Sequence, residues 1–188
     1  MELFRKIRLK IGNYILQRRK TRAIRKIAYR SLDRVKKLLV IWDASRPGEF
    51  PALTDFYNRM QERGIKTEIL AYYPGDPLPD QYTAIRYLTC IRRNELNSFY
   101  IPVAQEAEKF IAEPYDVLIE VNFDGMFPLR YISSLSAASF KVGLSDSDPG
   151  NSPYDLMMEL KPPVKTDDYL RQVLHYLEMI NSGTAVTA

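Results

Sequence analysis

Residues 37–43 read KLLVIWD: five consecutive apolar side chains, Leu38 to Trp42, closed by an acid. A short run that is apolar at every position predicts a strand buried on both faces, because a strand with one wet face alternates apolar and polar residues. Two later stretches, YDVLIEVN over Tyr115–Asn122 and AASFKVG over Ala137–Gly143, are also expected to carry strands of the sheet. Between and around them the period changes to that of helices. Phe50, Leu53, Phe56, Tyr57 and Met60 fall on one helical face, and Gly64 supplies the left-handed residue that closes such a helix. Lys66–Tyr73 predicts a second strand, and Pro74, Gly75, Pro77 and Pro79 a loop.

Further along, a strand is expected over Ala84–Thr89, an irregular connection over Arg92–Ile101, and a helix over Val103–Ala112 that Pro114 stops. After the strand at Tyr115–Val121 come a helix over Met126–Ala138 and strands over Phe140–Leu144 and Tyr154–Leu160. A closing helix follows over Thr166–Ile180, with Thr166 as its N-cap and Asp167 and Asp168 in its first turn. Strands alternating with helices in this way define an α/β protein. The expected architecture is a three-layer, Rossmann-like, mostly parallel sheet of about six strands, preceded by a basic helical N-terminal arm. The expected division is arm 1–36, α/β domain 37–182 and frayed tail 183–188. Leu39, Val40, Ile41, Val117, Leu118 and Ile119 should form the adjacent central strands.

The charge is divided unequally. Over residues 1–38 fourteen Lys and Arg stand against two acids, a net +12, and the remainder carries −8. Asymmetry of this kind points to a polyanionic partner, nucleic acid or lipid. Within the arm, Leu3, Phe4, Ile7, Ile11, Tyr14 and Ile15 recur at helical spacing, and a second stripe is expected over Ile24–Val35, with Gly12 and Gln17–Arg22 marking a bend. The candidate anion-binding residues are Arg5, Lys6, Arg8, Lys10, Arg18, Arg19, Lys20, Arg22, Arg25 and Lys26.

Parallel sheets bind ligands beyond the carboxyl ends of their strands, where strand order reverses. With order 3-2-1-4-5-6 that crevice lies between the first and fourth strands, flanked by Asp43, Ser45, Arg46, Asn122 and Asp124. Such a set suits a sugar or a phosphate. Alternatively Asp43 and Asp124 cap the helices that follow, with Arg46 paired to one of them.

Other features exclude more than they assign. A single cysteine, Cys90, forms no internal disulfide and is expected to be a buried or half-buried, inert thiol. One Cys and one His offer no zinc pattern, and His175 is expected on a helix surface. Ser145–Asn151 clusters oxygen ligands, but its glycine is misplaced for a calcium loop, so a solvated turn is expected. No phosphate-cradling glycine pattern occurs. No segment is long and apolar enough to span a bilayer, and the arm lacks the apolar core of a secretory signal, so a cytoplasmic protein is expected. No catalytic residue, metal or cofactor is expected.

The succession KLLVIWD, YDVLIEVN, AASFKVG resembles the N-terminal Rossmann-like half of heptosyltransferase-type glycosyltransferases, over about residues 37–145. The resemblance implies a parallel sheet and a crevice for a nucleotide or sugar. Those enzymes hold their nucleotide-sugar donor on a second Rossmann domain, which a chain of this length is not expected to contain. Ala44-Ser45-Arg46-Pro47-Gly48 stands in place of their glycine-bearing turn, so sugar transfer by this chain alone is not expected. The whole chain, arm included, is also similar to a family of small bacterial proteins without an assigned activity.

Three functions follow. The leading expectation is a non-catalytic binding protein whose arm lies along RNA phosphates, on the ribosome for instance. The second is a peripheral protein on the inner membrane face, with the stripe in the lipid interface and cations on anionic headgroups. The third is a glycosyltransferase-like, nucleotide- or sugar-binding protein using the crevice.

Overall fold

The computed structural model describes residues 2–22, 25–28, 30–145 and 152–180. Six strands form one sheet: β1 (Lys37–Asp43), β2 (Lys66–Tyr73), β3 (Leu88–Arg92), β4 (Val117–Val121), β5 (Phe140–Leu144) and β6 (Leu156–Met158). Their order is β3-β2-β1-β4-β5-β6, and every pair is parallel. This is the doubly wound order, with the reversal between β1 and β4. The expected centre is in place: Leu39, Val40 and Ile41 of β1 pair with Leu118, Ile119 and Glu120 of β4, and the six named residues of the two strands are sealed from solvent.

Alternate residues of each strand feed opposite layers. On one face Leu38, Val40, Trp42, Ile119 and Val121 meet α2 (Phe50–Glu62) and α5 (Thr166–Met179) through Leu53, Phe56, Met60, Tyr169, Val173 and Leu177. On the other, Leu39, Ile41, Leu70 and Leu118 meet α3 (Gln105–Ala112) and α4 (Phe127–Leu135) through Phe110, Ile111, Leu129 and Ile132. Helix α1 (Glu2–Lys20) is added outside α3 and α4. Gly64 (φ +71°) ends α2 as expected, its N–H reaching the Gln61 carbonyl while that of Ile65 reaches Met60.

Several boundaries differ from the expected ones. The third strand starts at Leu88 rather than Ala84, because pairing with β2 begins where Leu88 opposes Ile69; the preceding residues are used in turns. The last strand contracts to three residues, since Tyr154 lays its ring over Gly143 instead of extending the ladder. Thr166 opens α5 as its first residue, and its hydroxyl donates to Glu49 Oε2 at 2.8 Å rather than capping the helix.

The arm differs most. Residues 2–20 form one helix that passes straight through Gly12. After it, residues 25–28 and 30–31 have no helical structure, and Leu32–Arg34 is a single 3-10 turn, so the expected second helical stripe does not form. Arg25 explains this. Its guanidinium makes two 2.6 Å bonds to Asp155 and reaches the carbonyls of Ala138 and Ser139, while the Ala28 N–H donates to Ser139 O. The segment is drawn out along the β5–β6 side of the domain by these partners. The oxygen-rich stretch at 146–151 and the tail from 181 onward lie outside the described residues.

Candidate functional site

Helix α1 has two faces of unlike fate. At 3.6 residues per turn, Leu9, Gly12 and Leu16 share one face, and Leu3, Phe4, Ile7, Ile11 and Tyr14 the opposite one. The helix seats itself by the first. Leu16 is buried, and Gly12 lies so close to the domain that a Cβ there would stand 2.5 Å from the Phe99 carbonyl oxygen and 3.0 Å from the Phe127 ring. Glycine at position 12 therefore marks a close approach, not a bend. Arg19 locks the same face, donating to both Glu108 oxygens at 2.8 and 3.0 Å and to the Tyr131 hydroxyl at 2.8 Å. The contact with Arg19 holds Glu108 below the usual carboxylate range.

The longer apolar stripe faces out. Phe4 is 73% exposed, Leu3 70% and Tyr14 60%, with Ile7 and Ile11 also exposed. Lys6 and Lys10 run along one border of this stripe and Arg8 along the other, all exposed. Arg8 lies over the Tyr100 ring and donates to the Ser98 carbonyl. Phe99 and Tyr100 follow β3 at the carboxyl edge of the sheet, and Phe127 begins α4 at the same edge. The first half of α1 consequently stands at the carboxyl edge, and the second half descends past Tyr131.

The candidate cations divide accordingly. Arg5, Lys6, Arg8, Lys10, Arg18, Arg22 and Lys26 are exposed. Arg19 and Arg25 are committed to Glu108 and Asp155, and Arg30 to Asp116 at 3.1 Å. Lys20 is half-buried, and its pKa is lowered by burial and by Arg130. Part of the basic excess of the arm thus neutralises acids of its own domain.

At the switch point, Arg46 spans the reversal. It donates to Asp124 at 2.6 and 2.9 Å and to Glu49 at 3.2 Å, tying the loop after β1 to the loop after β4. Asn122 accepts the Met126 N–H at 2.7 Å and donates to the Met126 carbonyl, fixing the turn into α4. Asp43 accepts the Ser45 N–H through Oδ1, while its buried Oδ2 has no hydrogen-bond partner among the described residues. The sequence-derived crevice residues do gather at the carboxyl edge, but Arg46 and Asp124 use each other up. Arg46 pairs with Asp124 as the alternative expected, but Asp43 and Asp124 do not cap α2 and α4, and Asn122 holds the turn into α4.

The open space lies one strand further on. A cavity of about 190 Å3 is lined by Glu120, Asn122, Phe123, Arg130, Leu144 and Tyr154, with Gly125 and Ser145 at its edge. Glu120 is fully buried, and its Oε1 accepts from Asn122 at 2.8 Å. Burial raises its pKa, against the pull of Ser133, Asn122 and Tyr154. Beside it on β5, the buried Lys141 ammonium donates to the carbonyls of Ser133 (2.7 Å) and Ser134 (3.2 Å), and burial brings its pKa down to about 7. The signal for both was a charge inside an apolar strand, VLIEV and FKVGL.

Elsewhere, burial pushes the Cys90 thiol up to about 12, which suits an inert side chain. His175 is exposed on α5 as expected. No group of three or more metal-ligating side chains occurs among the described residues. None of the described helices is long and apolar enough to cross a membrane.

The molecule is a doubly wound α/β domain of Rossmann-like type with an added basic, amphipathic helix. The chain belongs to the family of unknown function DUF6913, which it matches over residues 6–180. No curated protein matches it. Among solved structures it is similar to the E. coli heptosyltransferase WaaC with ADP, at 16% identity and a TM-score of 0.45, over 79% of this chain and 49% of that one. The chain spans about half the length of that structure.

Proposed function

We propose that this protein is a non-catalytic, peripheral membrane-binding protein that lies on an anionic lipid surface through α1. The outward stripe of Leu3, Phe4, Ile7, Ile11 and Tyr14 carries this reading. A helix that serves only as a layer of its own domain turns its widest apolar face inward; α1 turns it out and seats itself with Leu9, Gly12 and Leu16. Lys6, Lys10 and Arg8 border the stripe where headgroup phosphates would meet them.

The magnitudes rank the contributions. Full burial of a large apolar side chain is worth about 1.5–3 kcal/mol, and a cation near an anionic leaflet about 1 kcal/mol. The stripe therefore dominates, with the cations selecting anionic over zwitterionic lipid. Along RNA the ranking reverses, since phosphate contact is almost wholly electrostatic. The segment best suited to tracking phosphates, Arg18–Lys26, also has Arg19 and Arg25 engaged by the domain.

Co-sedimentation with vesicles of phosphatidylglycerol and phosphatidylcholine, and in parallel with ribosomes, tests the reading. Binding to the anionic vesicles is expected, and Phe4→Ser with Ile7→Ser should reduce it at least tenfold. Charge reversal at Arg18 and Arg22 should matter less. Retention on ribosomes alone, sensitive to the charge reversals and indifferent to Phe4 and Ile7, would return the function to RNA.

A further inference from the structure

We infer that a cavity beyond the ends of β2 and β3 binds a phosphodiester of glycerol, with the phosphate on Arg93 and a hydroxyl on Asp76. The space measures about 540 Å3 and is lined by Pro74, Gly75, Asp76, Arg92, Arg93 and Asn94. Strand β2 ends at Tyr73 and β3 at Arg92, so the cavity stands at the carboxyl edge of the sheet. The fold fixes both of its sides. On the β2 side Gly75 lies against the Tyr73 ring, where a Cβ would stand 2.7 Å away. On the β3 side Glu95 accepts the Arg92 N–H at 2.7 Å and stands 3.5 Å from the Arg92 Nε, closing the turn that presents Arg93 and Asn94.

Arg92 is thus engaged by Glu95, while Arg93 makes no side-chain hydrogen bond or ion pair among the described residues. Its planar fork suits a phosphate, and the Asn94 amide beside it can add a donor. Asp76, on the loop after β2, also makes no ion pair among the described residues. It repels a bare anion, so the ligand needs a donor on that side. A hydroxyl supplies one, whereas an ammonium would share the space with the guanidinium groups of Arg92 and Arg93. Glycerol joined to phosphate carries both groups a few bonds apart. The cavity also adjoins the basic border of α1: Arg93 and Tyr100 both act electrostatically on the Tyr72 hydroxyl, and Arg8 lies over the Tyr100 ring. On a bilayer bound through α1 the phosphodiester is therefore the headgroup of phosphatidylglycerol. That source rests on the reading of α1 above; the chemistry of the cavity does not.

The full chain is first titrated by calorimetry without lipid, against glycerophosphoglycerol (the headgroup freed of its acyl chains), glycerophosphoethanolamine and inorganic phosphate. Saturable binding of glycerophosphoglycerol is expected, about tenfold tighter than that of the ethanolamine compound, as one hydrogen bond to a charged group implies. Asp76→Ala should weaken it about tenfold and leave inorganic phosphate no weaker; Arg93→Gln should abolish both. The two positions are exposed, so these variants probe the site and not the fold. Vesicles of phosphatidylglycerol or phosphatidylserine at equal charge then separate the sources. A preference for phosphatidylglycerol that Arg93→Gln removes assigns the site to lipid, and soluble binding without that preference assigns it to a free phosphodiester. Loss of all vesicle binding with soluble binding intact would refute the reading of α1 and leave the cavity site standing. No saturable binding of glycerophosphoglycerol, or an affinity that Arg93→Gln leaves unchanged, would overturn the proposal.

Discussion

Lys141 shows what a single side chain costs and controls. Its ammonium is buried against the last carbonyls of α4, a place that favours positive charge, yet burial outweighs this and brings its pKa to about 7 from the ordinary 10.5. Below about pH 7 both the folded and the unfolded chain carry the proton, and the folded state bears the full cost of a buried charge. Between 7 and 10.5 the unfolded chain keeps a proton that the folded one has lost, so stability rises with pH through this window. The rise is at most about 1.4 kcal/mol per pH unit, one proton's worth. Urea denaturation across this range should show it in the natural protein, and Lys141→Met should flatten it. The residue was visible in the sequence as a charge in a strand, but its partners were not: nothing in FKVGL says that two serine carbonyls stand over it. Glu120 was hidden for the same reason.

Among the elements, strands were more legible than the arm. A run such as KLLVIWD is legible because a short, continuously apolar segment closed by an acid fits a strand buried on both faces of a sheet. The arm has several readings, because an apolar stripe says that a face seeks cover without saying which cover it finds. The stripe over Leu3–Tyr14 proved to be the outward one, and Gly12 the residue of contact. Past Lys20 the periodic residues gave way to stronger tertiary partners. Arg25 and Asp155 have side chains only 18% and 6% exposed, so their pair acts as a buried clamp that holds the extended segment. Removing one partner of such a pair leaves a buried charge without compensation and typically costs about 3–5 kcal/mol. Arg25→Ala should lower stability in guanidinium denaturation by roughly that amount, and Arg22→Ala, at an exposed position, by less than about 0.5 kcal/mol. Equal effects of the two would mean that the clamp does not hold.

For the whole molecule, the division of charge that stood out in the sequence is partly settled within the fold, through Arg19, Arg25 and Arg30. What remains outward is a mixed surface, apolar along its middle and basic at its borders. That mixture gives the interaction with lipid a definite response to salt. Screening at the order of 1 M salt reduces the Debye length to about 3 Å and removes most of the headgroup attraction, while apolar insertion persists. Vesicle binding should therefore fall with salt and level off at a floor that Phe4→Ser abolishes. A log–log decline without a floor is the signature of counterion release from nucleic acid. The carboxyl-edge crevice was legible as a location from strand order alone. Its contents were not, because occupation by the Arg46–Asp124 bridge and opening one strand away depend on side-chain reach, which no spacing rule encodes.

The seating of α1 has a geometric corollary. Gly12 and Arg19 fix the helix to the domain at two points, so its axis is not free to swivel. Residues 2–11, a span of about 15 Å, stand at the carboxyl edge. A molecule lying on a surface by that span keeps one face toward it and tumbles about the surface normal alone.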